Sequence, residues 1–338
     1  MTARSRTRKL KTWTAFGDLG RRPTEYEILT HGLNHTMRGE TPLELPADAH
    51  GNRWLREHRD AITLTAPDWN AFRDPDAVTY GSYVAMQDDQ EAYVEGLLER
   101  FDRDGYDDSL AETTLAFLSL TLTPCRYLAH AEQMLSAYLQ QLAPSSYVAN
   151  CAIFQTADQL RRVQLIAYRT TQLRLSYPRR TFGTGERATW EQHPGWQPIR
   201  EAVEHALVEY GWDRALVATQ LVVKPVADLI FLEQLRHELT AADAAMDALI
   251  AENLWRDCER SRRWTAALLG FLAEADPGNL ATLQRYLREW APRGHAMVAA
   301  GSELLAQGSG RPSGEIAAAV MTGWKALTEP AGLAVDQA

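Results

Sequence analysis

Apolar and polar positions change their rhythm once along this chain, near residue 77. Before it, residues 12–75 show no sustained period, and Pro23, Pro42, Pro46, Pro67 and Pro75 punctuate them. After it, breakers are few and the spacing is helical. Tyr80 to Arg100 reads as a helix, and Leu110 to Leu142 as an apolar-rich helical stretch broken at Pro124. Ser145 to Leu175 follows Pro144, with Ser145–Ser146 supplying an N-cap. Residues 177–198 read as a loop rich in proline and glycine. Ile199, Ala202, Val203, Ala206, Leu207 and Tyr210 recur at helical spacing and form one stripe, ended by Gly211. Two long helices are expected at about 213–238 and 241–272. Another is marked by Leu283, Tyr286, Leu287 and Trp290 behind Pro277–Gly278. Residues 308–314, GSGRPSG, read as a linker before a short helix over 315–327. No stretch alternates as a strand would. Long helices joined by short turns predict an all-α bundle over 76–307, led by an extended arm over 1–75 and trailed by a tail over 308–338.

The arm carries Trp13, Phe16, Tyr26, Trp54, Trp69 and Phe72. About sixty structureless residues are unusual inside a compact domain. The aromatics are therefore expected to lie on another subunit, with Trp13, Phe16, Tyr26, Trp69 and Phe72 as contacts. On this reading the bundle would fold without residues 1–75.

Composition narrows the classes. The net charge is −9 over 338 residues, which argues against a nucleic-acid surface, although residues 1–11 are basic. No eighteen-residue apolar run is present, so no membrane span is expected. The N-terminus lacks the apolar core of a secretory leader. Three cysteines, Cys125, Cys151 and Cys258, suit a reducing compartment, and a cytoplasmic location is expected.

A long-helix bundle raises the question of a carboxylate-bridged metal pair. Such a centre takes one Glu from each of two helices and a Glu-x-x-His from each of the other two, because i and i+3 share a face. None of the nine histidines has an acidic residue three positions before or after it. His31 and His35 are spaced four apart, but their segment does not read as helical; Glu201 with His205 and Glu233 with His237, at the same spacing, read as surface pairs. Gly183 to Ala188 formally matches a dinucleotide-loop spacing, but no strand precedes it, and a loop is the better reading. No P-loop or nucleophile elbow is present.

One faint repeat remains. Asp158-Gln159-Leu160-Arg161-Arg162 and Asp257-Cys258-Glu259-Arg260-Ser261 both keep Asp-x-x-Arg. Here the chain resembles the β subunits of soluble di-iron monooxygenase hydroxylases of the propane, alkene, phenol and toluene type. Further matches are Lys11 to Phe16, Arg22 to Glu27, Asp68 to Pro75 followed by Tyr80, Tyr83 and Gln87, and Gln155 to Gln159, over roughly residues 8–307. The N-terminal motifs look nearest to the short-chain alkane type.

The resemblance implies a ferritin-like bundle. It also implies that Gln159, Arg162, Cys258 and Ser261 stand where the catalytic α subunits carry Glu and His ligands. Counting back places the two lone glutamates near Ala129 and Lys224, neither a carboxylate. All six ligand positions are then replaced, and Asp158, Arg161, Asp257 and Arg260 survive as a buried ion pair or helix cross-link. No cofactor is expected in this chain. The implied partners are an α subunit holding the di-iron centre, a small γ subunit, a coupling protein and an NADH-linked reductase. The assembly would be a two-fold dimer of heteromers, with no membrane or nucleic acid involved. Two other readings stand beside this one. One is an independent enzyme using Arg162, Lys224, Asp158 and a reactive Cys258. The other is a stand-alone helical adaptor.

Overall fold

The computed structural model describes Phe16, residues 19–31 and residues 49–336. Among these the secondary structure is helical, with no strand. The helices are α1 (Glu25–Thr30), α2 (His50–Asp60), α3 (Tyr80–Arg103), α4 (Glu112–Phe117), α5 (Cys125–Leu142), α6 (Ser146–Ser176), α7 (Glu186–Gln192), α8 (Gln197–Ala206), α9 (Trp212–Ala241), α10 (Ala245–Ala275), α11 (Pro277–Ser309) and α12 (Ser313–Thr328).

Local chemistry sets the helix ends. Ser145 caps α6 by accepting from the Val148 amide, and Thr79 with Ser82 forms a reciprocal box at the start of α3. Asp276 caps α11, whose first residue is Pro277, where a missing N–H costs nothing. Helix α11 ends at Gly310, whose φ of 74° suits glycine. Helices α5 and α6 pack as an antiparallel hairpin, and α9 and α10 form a second pair. Helix α9 is long and apolar enough to cross a membrane, yet its apolar stretch is wholly buried in the described structure, and it is the central core helix. It is not a plain α-helix: residues 217–223 and 229–234 are π-helical. The first widened stretch precedes Pro225, which cannot donate to the backbone ladder.

Two expectations need correction. In the 308–338 tail the expected short helix is present as α12, but the linker before it shrinks to residues 310–312 and the helix packs into the core. Ile316, Val320 and Trp324 of α12 are completely buried, and the Trp324 indole donates to the Leu221 carbonyl of α9. Arg311 bonds Gln234 and Glu238 at 3.0 and 2.9 Å. Backbones approach closely enough that a Cβ on Gly294 would lie 2.3 Å from the Trp324 ring. The linker reading failed because a helix-ending Gly-Ser-Gly and a flexible spacer share a composition.

The leading segment is likewise not an arm held away from the bundle. It forms α1 and α2, and Tyr26, Leu55, Leu64 and Phe72 lie in the same apolar core as the long helices. Thr63 bonds Asp213 through both its amide and hydroxyl, and Thr65 bonds Asn279 and Asp276. Glu27 is buried between Arg21 and Arg73, which hold its carboxyl well below the usual carboxylate range. Tyr26 and Phe72 are therefore not available as subunit contacts. Trp69 is half-buried, edge-on to Trp212 at 5.8 Å between ring centroids. Phe16 lies 4.6 Å from the His31 ring, and Trp13 falls outside the described residues. The segment lacks period because it packs as a strap, one anchor at a time, with no repeating face.

Candidate functional site: an interior charge centre

The six positions named from the resemblance all lie in the interior, on the four helices that form the core of the bundle. Ala129 lies on α5, Gln159 and Arg162 on α6, Lys224 on α9, and Cys258 and Ser261 on α10; all are buried. One turn further along α5 and α9 lie two acids that the sequence reading did not single out. Glu132, three residues after Ala129, and Asp228, four after Lys224, are both fully buried carboxylates. Residues three or four apart share a helix face, so spacing alone could not separate them.

Arg162 Nη1 lies 3.1 Å from Asp228 Oδ1 and 3.4 Å from Glu132 Oε2. Lys224 Nζ forms a second ion pair with Asp228. Asp228 is thus shared by two cations, and Glu132 holds the weaker share of one. Burial pushes the Glu132 carboxyl up to about 8, the nearby Asp228 charge adds to this, and Arg162 and Lys224 oppose it without prevailing. Glu132 therefore favours its protonated form more than an ordinary carboxyl does. Ser261 donates to the Cys258 carbonyl at 2.9 Å and is spent within its own helix. Burial also pushes the Cys258 and Cys125 thiols up, Cys125 to about 12, so neither is a ready thiolate. The free space beside Arg162 is a cavity of 20 Å³, room for one water at most.

This donor set does not fit a di-iron group. Two cations stand among the carboxylates, no histidine enters, and the thiols hold their protons. Among the described residues, no three His, Cys, Asp or Glu side chains gather as a metal requires. The positive charge in this centre comes from Arg162 and Lys224.

Above it lies a second charged layer. The two Asp-x-x-Arg motifs exchange partners across α6 and α10. Arg161 Nη1 lies 3.1 Å from Asp257 Oδ2, Arg260 pairs with Asp158, and Arg260 stays 3.6 Å from Asp257 on its own helix. Helix α3 closes the quartet. The Tyr83 hydroxyl donates to Asp158 at 2.9 Å, and Gln87 Nε2 bridges Asp158 and Asp257 at 3.2 and 2.9 Å. Gln90 adds a bond to Asp257 at 3.2 Å. Burial and the Asp257 charge lift the Asp158 carboxyl to about 7, against Arg260 and Tyr83. Tyr80, read from the same motif, points to solvent instead.

Sequence reasoning missed a third cluster further along α6. Arg169, completely buried, bonds Asp247 at 2.7 Å and Asp107 at 2.7 and 2.8 Å. No motif announces it, since Asp107 comes from a loop and Asp247 from the first turn of α10. The cluster that the independent-enzyme reading drew on is not assembled: Asp158 pairs with Arg260, while Arg162 and Lys224 pair with Asp228. The weaker histidine pairs resolve as the sequence suggested. His205–Glu201 and His237–Glu233 are surface contacts at 3.9 and 3.7 Å. The Gly183 amide donates to Glu186, closing that loop on itself.

The lifted carboxyls have a measurable sign. Glu132 holds its proton more tightly in the native chain than in the unfolded one. Below pH 4.5 both states are protonated and the difference vanishes; between pH 4.5 and about 8 only the native state keeps the proton. This group's contribution to stability therefore falls as pH rises through that window. The urea midpoint of Glu132→Gln should fall less than the wild type's between pH 5 and pH 8, endpoints inside roughly that window. Equal falls would contradict a proton on Glu132.

Comparison with known proteins agrees with this geometry. The family profile of methane, phenol and alkene hydroxylases matches residues 54–276. The chain is 37% identical, over 84% of its length and 86% of the relative's, to the β subunit of the toluene-4-monooxygenase hydroxylase of Ectopseudomonas mendocina. It is 25% identical, over 70% of its length and 65% of the relative's, to the small hydroxylase subunit of propane 2-monooxygenase from Mycolicibacterium smegmatis. A chain in a solved structure of toluene 4-monooxygenase with toluene in its resting active site superposes with a TM-score of 0.83. That match has 34% identity and covers 89% of this chain and 99% of the other. The alkane-type leaning of the N-terminal motifs is not supported, since the toluene relative is the more similar of the two.

Proposed function

The chain belongs to the methane, phenol and alkene hydroxylase family, and on that footing we propose that it is a β subunit with no oxygen chemistry of its own. It is a subunit of the hydroxylase component of a multicomponent hydrocarbon monooxygenase, as its relatives are. Membership sets aside the stand-alone adaptor.

The observation that carries the non-catalytic reading is the interior centre. Where a metal pair would need carboxylates and imidazoles, this chain places Arg162 and Lys224, each paired to Asp228. Inserting a dication beside two buried cations is electrostatically prohibitive at these separations. The di-iron group, which supplies dioxygen activation, then belongs to an α subunit. Electrons come from NADH through a reductase, with a coupling protein regulating the cycle. A γ subunit and a two-fold arrangement complete the cytoplasmic assembly. What this chain contributes is a rigid bundle, braced by three buried charge clusters, against which the α subunit is held. The similarity to the toluene enzyme's β subunit favours a small aromatic hydrocarbon as the complex's substrate.

Elemental analysis of the isolated chain after ferrous reconstitution tests the reading. The expected result is iron at buffer background and no hydroxylation of toluene, with activity appearing only when the α subunit is present. Two irons per chain, or turnover by the chain alone, would overturn it.

A further inference from the structure

We infer that the outer face of α3 and α6 is the surface on which the partner hydroxylase subunit docks, through a helix with apolar residues flanked by arginine or lysine. The inference rests on the subunit reading above and names the surface that serves it.

Helix α3 is 24 residues long, yet only Tyr83, Gln90 and Val94 are buried. It holds the bundle by polar contacts of Tyr83, Gln87 and Gln90 on the Asp-Arg quartet, and by Val94, Leu97, Leu98 and Phe101 against the core. The two helices run side by side in the same direction: Tyr83 stacks on Phe154, and Glu91 pairs with Arg161. Along α6, the exposed residues Ile153, Leu160, Tyr168 and Leu175 recur on one stripe, Leu175 being 72% exposed. On α3, Tyr80 and Val84 are exposed one turn apart, with Tyr80 at 74%. By helical spacing they share the edge that carries Glu91 and Glu95. Isolated exposed apolar side chains are ordinary, but a two-helix row of this length marks an interaction site.

Size and charge identify the occupant. Ile153 to Leu175 spans about 33 Å of helix, and two helices of roughly 10 Å diameter give a face about 20 Å wide. The product, about 660 Å², is of the order that one side of a stable protein interface buries. Between the helices runs an open groove of 650 Å³ lined by Glu91, Glu95, Glu99 and Asp102 on α3 and by Gln164 and Tyr168 on α6. Glu91 is already paired with Arg161, but Glu95, Glu99 and Asp102 remain at one edge of an apolar row and call for a cationic, amphipathic partner. A second copy of this chain, with its net charge of −9, is a poor complement.

The full chain is co-expressed with its α subunit, and affinity is measured for the wild type, Leu160→Glu/Tyr168→Glu, Glu95→Lys/Glu99→Lys, and the control Val208→Glu. Val208 is equally exposed but lies after α8, away from the groove. The two face variants should keep wild-type melting temperatures and lose at least thirtyfold in affinity. The lysine variant should also lose the wild type's sensitivity to salt, and the control should bind normally. If the wild type captures the α subunit and both face variants bind as the control does, the surface is wrong while the subunit reading stands. If the wild type captures no α subunit, both fall. Self-association of the wild type that the face variants abolish would assign the face to a second copy and overturn the proposal.

Discussion

Deleting residues 1–75 should abolish the cooperative melting of the isolated chain, not merely weaken its assembly. The segment delivers Tyr26, Leu55, Leu64 and Phe72 to the common core. Each such side chain contributes about 1.5–3 kcal/mol on burial. Native domains are stable by only about 5–15 kcal/mol in total. The ordering entropy of the strap offsets part of the loss, but its removal also bares the core beneath. It leaves Asp213 without Thr63, and Asn279 and Asp276 without Thr65. A single substitution reports the same dependence: Phe72→Ala, at a fully buried site, should cost about 3–5 kcal/mol in urea unfolding. The opposite outcome would be a truncated chain that keeps its melting transition and loses only affinity for a partner. That result would mean the strap lies on the bundle without supporting it.

The contrast between strap and bundle shows what periodicity can and cannot reveal. From Tyr80 onward each long helix buries a repeating face, so the apolar stripe is written in the spacing. Ile199, Ala202, Val203 and Ala206 are all buried as their stripe requires, whereas Tyr210 lies past the end of α8 and is exposed. In the strap, every buried residue answers to a different neighbour. Tyr26 meets Tyr147, and Phe72 meets Phe271, so no period exists to be found. The charge centre was half legible for a related reason. Gln159, Arg162, Cys258 and Ser261 could be singled out because the Asp-x-x-Arg repeat marks their segments, and all four are buried. Glu132 and Asp228 could not, because α5 and α9 carry no repeat. Pro124 precedes α5 and Pro225 lies within α9, and each follows a π-helical stretch that shifts the register of whatever comes next. The Arg169–Asp247–Asp107 cluster joins three distant segments and has no local signature at all.

Asp228→Ala should be the most damaging single change within the charge centre, at a cost of about 3–5 kcal/mol, as expected when one partner of a buried ion pair is removed. Asp228 is the shared anion for Arg162 and Lys224, and both cations are buried with it. Without it, two positive charges face each other, and Glu132 becomes their only counter-ion. Its carboxyl should then drop from about 8 and ionise at neutral pH. The fall in stability attributed to Glu132 between pH 4.5 and about 8 should accordingly disappear in this variant. Adding Lys224→Met should recover most of the loss. The double variant removes a whole ion pair, whose desolvation cost offsets much of its Coulombic gain, and leaves Arg162 balanced by an ionised Glu132. The cycle is therefore expected to be strongly non-additive, with a coupling within the roughly 0.5–3 kcal/mol range that contacting residues show. Urea unfolding of the wild type, both single variants and the double variant measures it. Additive losses would mean that Lys224 and Asp228 act independently, and that the centre is not one coupled unit of charge.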